Sequence, residues 1–401
     1  MRILVLGSYP TRRPIHGGQI RLSEIVAAYR TRGFRVRQVN VYPASVLYRS
    51  GWRLLGNDTI DLPLPPERLQ SWRGLGAPLI EDLASGELLA TDERRLAQIE
   101  RYAGRVDAVH LEQPWLLPVV ERLRRRGALG TFRLVYGSQN IEQRLKREIF
   151  RQYRVAHGEP LINAISALER QAASEADLVA AVTEEDASEI ARWTQAPIIL
   201  AANGIQPWRG RPRAVARWRR HLGAEPFALY VASAHPPNVI GFCEAFGESL
   251  AALSLVQRVV VAGSVAEHIR QSDWFRRWEP LNVGRMVALG VLSTDQLDAL
   301  KDMAHTFVLP VTAGGGSNLK TAEALYACRN VVATPLALRG FESFAALPGV
   351  TVAAPGGEFG SAVSRSLNRP LPAPDSATDV CRQRLTWSHT LAPLTLAVAS
   401  L

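Results

Sequence analysis

The sequence predicts an α/β protein built from two successive doubly wound parallel sheets, and three observations carry that prediction. Short apolar runs recur along the 401 residues, most of them ending in Gly, Ser, Pro or Asn. Helix-like segments fill the intervals, and the rhythm stops and restarts once, near Gly204–Arg213. Strands alternating with helices imply parallel strands covered on both faces. A chain this long exceeds one compact core and is expected to divide into about two domains. The expected division is 1–205, 206–380, and a helical tail over 381–401 that packs back toward the first domain.

The first domain opens on RILVLGS (2–8), an apolar run of strand length. The loop PTRRPIHGG (10–18) leads into an amphipathic helix, QIRLSEIVAAYRTRG (19–33), which Gly33 closes. RVRQVNVY (35–42) reads as the next strand, whereas residues 43–92, rich in Pro, Gly and Trp, keep no clear period and read as short helices and a long connection. VDAVHLEQ (106–113) and FRLVYGSQN (132–140) are strands around the helix LPVVERLRRRG (117–127). EADLVAAVT (175–183) and APIILAANG (196–204) continue the rhythm. In the second domain the strands are FALYVAS (227–233), RVVVAGS (258–264), RMVALGV (285–291), TFVLPV (306–311) and NVVATP (330–335). PWRGRPRAVARWRRHLG (207–223) reads as linker plus basic helix.

With 47% hydrophobic and 21% charged residues the profile is that of a soluble globular protein. The net charge is +10, and the basic residues are nearly all arginine, lysine occurring only at Lys146, Lys301 and Lys320. This excess favours contact with anions, whether phosphorylated ligands, an acidic membrane surface or nucleic acid. Its even spread over both halves argues against a nucleic-acid arm. Cys243, Cys328 and Cys381 stand far apart with no CxxC or Cys/His spacing, which fits a reducing compartment and gives no zinc site. The opening apolar run is too short for the core of a signal peptide, and no stretch approaches ~20 uninterrupted apolar residues. A cytoplasmic location is the expectation.

Ligands of doubly wound sheets lie beyond the carboxyl ends of the strands, so the loops there carry the chemistry. Several familiar patterns are absent. VLGSYPTRRPIHGG is not G-x-G-x-x-G, which argues against a nicotinamide dehydrogenase, and GGGSNLKT lacks the glycine directly before the lysine of a P-loop. No G-x-S-x-G, H-E-x-x-H or Asp-x-Asp occurs, and the last absence weighs against sugar transfer through a divalent metal. VTAGGGSNLKTAEALYACRNVVATP (311–335) places Gly314, Gly315 and Gly316 between a strand and a helix. Such glycines let the backbone approach a ligand, and the helix start then offers N–H groups to an anion. A tight turn chosen for packing accounts for them equally well.

In this order and spacing, SYPTRRPIHGGQIRLSEIVAAYRTRGFRV, VDAVHLEQ, SQNIEQR, EADLVAAVTEED, ILAANGI, ASAHPPNVIGFCEAF, VVVAG, GVLSTDQLDALKDMAHTFVLP, GGGSNLKTAEALYACRNVVATPLALRGFE and LTWSHTL resemble the GT-B glycosyltransferases over the full length of the chain, and within them the retaining enzymes of family 4. The resemblance implies two Rossmann-like domains facing each other across a cleft. It implies a nucleotide-diphosphate sugar as donor, a carbohydrate or lipid-linked acceptor, and neither cofactor nor metal. By the same resemblance Gly315 and Gly316 and the N–H groups of Ser317, Asn318 and Leu319 cradle the diphosphate, and Lys320 neutralises it. Glu323 accepts hydrogen bonds from the ribose hydroxyls, a task suited to a carboxylate because it takes two donors at once. Gly263 and Val291 lie near the base, and Gly17 and Gly18 reach the sugar or phosphate from the first domain. Arg21, one turn later, is either functional or a helix-face charge. Catalysis is then mostly positioning and electrostatics, in keeping with the lack of a visible triad.

The chain also departs from the family pattern. Relatives with HNIE carry a histidine where this chain has Gln139, and an amide orients a hydroxyl but takes no proton. AHPPN offers His235 and Asn238 where many relatives place an Arg and a Lys, and the first glutamate of the paired-glutamate motif is replaced within TAGGG. His110 and Glu112, at the end of a first-domain strand, join Gln139 as catalytic candidates, although a histidine in a strand is more often core. Two readings follow. One is an enzyme of bacterial surface polysaccharide or glycolipid synthesis, with LRRRG (123–127) and QRLKREIFRQYR (143–154) docking it on anionic lipid. The other is a non-catalytic GT-B scaffold or regulatory subunit, and the intact cradle and Glu323 favour the enzyme.

Overall fold

The computed structural model describes residues 1–12, 14, 16–44, 58–314, 318–373 and 376–401, the last stretch without the side chains of 376–378. The chain forms two compact units, Met1–Ala202 with Thr390–Leu401, and Asn203–His389. Residues 381–389, assigned to the tail on sequence, therefore stay with the second unit.

The first unit holds a seven-stranded parallel sheet: β1 (Arg2–Gly7), β2 (Arg35–Pro43), β3 (Thr59–Leu64), β4 (Ala108–Glu112), β5 (Arg133–Ser138), β6 (Leu178–Ala181) and β7 (Ile198–Leu200). Their spatial order is β3-β2-β1-β4-β5-β6-β7. Helices cover both faces, so β1 buries Ile3, Leu4, Val5 and Leu6 completely and reads as an unbroken apolar run. The helix Gly17–Thr31 buries Leu22, Ile25, Val26 and Tyr29, one stripe of a 3.6-residue period. β3 lies in the stretch whose pattern was ambiguous. It contains Pro63, which an edge strand tolerates because one row of its backbone groups has no ladder to join, and Asp61, buried with Asn40 Nδ2 donating to its Oδ1 at 2.8 Å.

The second unit holds a six-stranded parallel sheet: β8 (Phe227–Val231), β9 (Arg258–Ala262), β10 (Met286–Leu289), β11 (Thr306–Leu309), β12 (Asn330–Ala333) and β13 (Val350–Val352). The order is β10-β9-β8-β11-β12-β13. β13 is three residues long, too short to stand out as a period in the sequence. In both sheets the winding reverses beside the first strand, between β1 and β4 and between β8 and β11. Loops diverge at such a switch point and leave a crevice at the carboxyl ends of the strands.

The two segments that connect the units run side by side within the second. Ile205 N donates to Leu385 O at 2.8 Å and Trp387 N donates to Ile205 O at 3.1 Å. After them the helix Ala392–Ala399 rejoins the first unit and packs on β6, β7 and the helix Gly17–Thr31, burying Leu394 and Val398. No described helix is long and apolar enough to cross a membrane.

The two arginine-rich stretches of the first unit are laced with carboxylates. Arg122 and Arg126 pair with Glu93, Arg126 also with Glu100, Arg124 with Glu175 and Arg125 with Glu121. Arg144 pairs with Glu185 and Asp186, Arg147 with Glu159, and Lys146 is buried against Asp82. Most of the positive charge expected to meet anionic lipid is thus already neutralised.

Candidate functional sites

At the switch point of the first sheet, β1 gives way to a loop that ends at the glycine turn. Gly17 opens the helix, with His16 extended before it and no side chain capping the helix start. A Cβ on Gly18 would lie 2.8 Å from the Tyr9 ring and 3.1 Å from Gln139 Oε1, so glycine is what lets those two side chains close on the turn. Arg21, one turn on, is not a helix-face charge: it is 2% exposed. Its Nε donates to Glu112 Oε1 at 2.8 Å and its Nη1 to the Ala201 carbonyl at 2.7 Å.

Glu112 is the hub of this network. His110 Nε2 lies 2.8 Å from its Oε2, and Gln139 Nε2 donates to its Oε1 at 3.1 Å. A carboxylate only accepts, so His110 Nε2 carries a proton, and Nδ1 meets the Tyr29 hydroxyl at 2.8 Å. Burial alone would raise the Glu112 pKa. The Arg21 charge, and after it the His110 hydrogen bond, outweigh burial and hold the group at about 2. With His110 fully buried and Glu112 1% exposed, neither presents an atom to a substrate. The catalytic roles considered for them give way to a positioning role: they fix Arg21, and they fix the sense of the Gln139 amide. Because Nε2 of Gln139 is anchored on Glu112, its Oε1 is turned toward Gly18.

Five supporting residues escaped the sequence reading. Tyr29 lies two turns beyond Arg21 on the same buried stripe. Gly137 admits the carboxylate, since a Cβ there would lie 2.0 Å from Glu112 Oε2. Gln113 follows with φ of 71°, uncommon for a non-glycine residue, and its Nε2 reaches Tyr9 Oη at 3.1 Å and Glu142 Oε1 at 3.2 Å. Glu142, within SQNIEQR, is buried and raised to about 6, burial outweighing the Lys146 charge. Glu169 takes the backbone N–H groups of Glu142 and Gln143 and so starts the helix Glu142–Gln152.

In the second unit the candidate residues line up along the carboxyl ends of β10, β9, β8 and β11. Val291 follows β10 and is 80% exposed. Gly263 follows β9 at φ +98°, with its N–H on Gly290 O and the Ala232 carbonyl 2.2 Å from where a Cβ would stand. His235 precedes the helix Pro236–Phe246 after β8. Partial burial and then the nearby Lys320 charge lower its pKa. Asn318 precedes the helix Leu319–Tyr326 in extended conformation, its own side chain making no cap. Gly315, Gly316 and Ser317 lie outside the described residues. Gly314, at φ +119°, has a conformation that glycine adopts without strain.

Lys320 bridges this switch point. Its Nζ donates to Asn238 Oδ1 at 2.6 Å and lies 5.8 Å from the centre of the Tyr230 ring. Burial lowers its pKa to about 8, and no carboxylate pairs with it among the described residues. A half-buried ammonium offset only by an amide dipole and a ring face leaves positive potential for an anion. Glu323, one turn on, has its side chain 31% exposed, with Oε1 3.3 Å from Lys301 Nζ. Lys301 is a further contributor that the sequence reading did not single out.

Residues 16–204 match the family model described as Glycosyl transferase 4-like domain. Among solved structures, the whole chain superposes on 99% of a sucrose-phosphate synthase from Thermosynechococcus elongatus at 15% identity and a TM-score of 0.68. It superposes on 100% of Anabaena HepE in complex with UDP at 16% identity and 0.64, and on 97% of an α,α-trehalose 6-phosphate synthase from Burkholderia multivorans at 15% and 0.64. The first unit thus carries a stretch that matches a glycosyltransferase family model, and the fold through both units is the GT-B fold of these structures. No curated protein sequence matches the chain.

Proposed function

We propose that the second unit binds a nucleotide-diphosphate sugar at the β8/β11 switch point and that the sugar passes to an acceptor hydroxyl handled by the first unit, with retention and without a metal. One observation carries the donor site: Lys320, an ammonium with no carboxylate paired to it among the described residues, stands where a diphosphate would lie. Asn318 and Leu319 contribute backbone donors beside it, and Glu323 accepts from the ribose. HepE has been solved with UDP and with UDP and glucose, and a trehalose-phosphate synthase among the similar structures with glucose 6-phosphate. These support a nucleotide donor and a carbohydrate acceptor, either free or carried on the lipid-linked intermediates of polysaccharide or glycolipid synthesis.

In this reading Gln139 Oε1 accepts a hydrogen bond from the acceptor hydroxyl and aims it. The acceptor oxygen bonds to the anomeric carbon, the bond to the diphosphate breaks, and the departing phosphate oxygen takes the hydroxyl proton. Lys320 stabilises the charge that develops on the leaving group. Among the described residues no group of three His, Cys, Asp or Glu side chains is placed to hold a metal. A cytoplasmic location belongs to the same reading.

Titration calorimetry with UDP, GDP and ADP tests the donor site. One of them is expected to bind at micromolar strength, and Glu323→Ala to weaken it about tenfold or more, the loss of a charge-assisted hydrogen bond. Folded protein that binds none of the three refutes the donor site and leaves the scaffold reading. Nucleotide binding also carries a pH signature. A bound diphosphate favours the charged form of Lys320, whose pKa is about 8. Affinity is therefore expected to be steady up to about pH 7 and to fall as the pH passes 8, and Lys320→Met to abolish this decline. An undiminished decline in that variant shows that another group titrates.

A further inference from the structure

Lys301 is 4% exposed on the helix Thr294–Met303. Its Nζ lies 3.1 Å from Asp298 Oδ1, 3.3 Å from Glu323 Oε1, and 4.0 Å from the centre of the Trp208 ring. Trp208 is held in turn by Tyr326, ring centres 5.0 Å apart, and the Arg382 guanidinium lies 4.7 Å from the Tyr326 ring while its Nε donates to the Tyr326 carbonyl. Burying an ammonium is unfavourable unless it is paired, and Asp298, one turn earlier on the same helix, already supplies a counter-ion. Glu323 comes from another helix, so two carboxylates converge on one ammonium.

That surplus falls on Glu323. Its Oε1 is pinned, while Oε2 has no hydrogen-bond partner among the described residues and its side chain is part-exposed. A glutamate free on a helix surface samples several rotamers, and ordering it on ligand binding is unfavourable. Here the side chain is ordered in advance, with one acceptor oxygen presented outward.

We infer that Lys301 is a positioning residue for nucleotide recognition: it pins Glu323 Oε1 and sets Oε2 to accept ribose hydroxyls, so that the second unit distinguishes a ribonucleoside diphosphate from its 2′-deoxy counterpart. The inference rests on the donor-site reading above. A purely structural Lys301 would support both nucleotides alike, whereas a positioning Lys301 governs the ratio between them.

The experiment compares, by calorimetry, whichever of UDP, GDP and ADP binds tightest with its 2′-deoxy analogue. Wild type is expected to prefer the ribonucleotide about tenfold or more, the worth of one charge-assisted hydrogen bond. Lys301→Met is expected to reduce that ratio to about threefold or less, chiefly by weakening the ribonucleotide, and Lys301→Arg to restore most of it. Should Lys301→Met fail to fold, the pair Asp298→Asn, Lys301→Met removes the stranded carboxylate and the same ratio is read. An unchanged ratio in a folded Lys301 variant, or wild type that does not discriminate, overturns the inference. If Glu323→Ala leaves ribonucleotide affinity intact, the donor-site reading fails and this inference with it. If Glu323→Ala weakens binding while the Lys301 variants keep the ratio, only the role of Lys301 fails.

Discussion

Glu112→Ala is expected to destabilise the first unit by about 3–5 kcal/mol, because it leaves the buried Arg21 guanidinium without its counter-charge. In a unit of this size that corresponds to roughly 10 °C or more in the melting temperature of the first unit, read by scanning calorimetry. The replacement also strips His110 and Gln139 of their shared acceptor, so the amide that faces Gly18 loses its fixed sense. Replacing both partners with apolar side chains, Arg21→Met with Glu112→Leu, is expected to recover most of the loss, since no charge is then left stranded. The same carboxylate predicts an acid limb. Its pKa is lowered on folding from the ordinary 4.5 to about 2. Its contribution, on the order of 3 kcal/mol, is therefore complete above pH 4.5 and disappears as the pH falls toward 2. A Glu112→Ala protein that melts within about 2 °C of wild type would mean the network carries no net stability.

Gly263→Ala is the second large effect. At φ +98° a side chain is strained whatever the space, and here a Cβ would meet the Ala232 carbonyl oxygen at 2.2 Å. Neither backbone segment can yield readily: Gly263 N donates to Gly290 O and Ala232 N to Ala262 O, which tie the ends of β8, β9 and β10 together. Strain and overlap together predict a loss of about 3 kcal/mol or more in the second unit, with nucleotide affinity falling as the ends of β8 and β9 separate. Gly284→Ala is the matched control, because no atom lies within 4 Å of its added Cβ and its φ is ordinary. Equal melting of the two variants would remove the geometric argument.

Much of the fold was legible because both sheets are parallel and buried on both faces. VVVA in β9 and ILVL in β1 are apolar without a break, and no surface helix reads that way. The strands that went unread are the edge strands β3 and β13, where Pro63 and Asp61 or mere shortness break the pattern. The site was legible residue by residue but not as an arrangement. Period two puts His110 and Glu112 on one face of β4. That this face meets Arg21, Tyr29 and Gln139 depends on the register of β4 between β1 and β5, where His110 stands opposite Val5 and Val135. In the same way nothing local joins Trp208, Lys301 and Glu323. The sequence separates them by 93 and 22 positions, and only the folded unit brings them to one ammonium.

The return of the last twelve residues to the first unit has a consequence for how the protein is made. Ala202 leaves the ribosome long before Thr390 is translated. At ~5–20 residues per second, the interval is on the order of 10–40 s. Throughout it, β6 and β7 and the helix that carries Gly18 and Arg21 lack the segment Ala392–Ala399 that packs on them. The second unit, continuous from Asn203 to His389, is complete in the nascent chain before the first. The glycine turn is therefore finished only once Ala392–Ala399 has emerged, in the reverse of the order in which the two units begin to be synthesised.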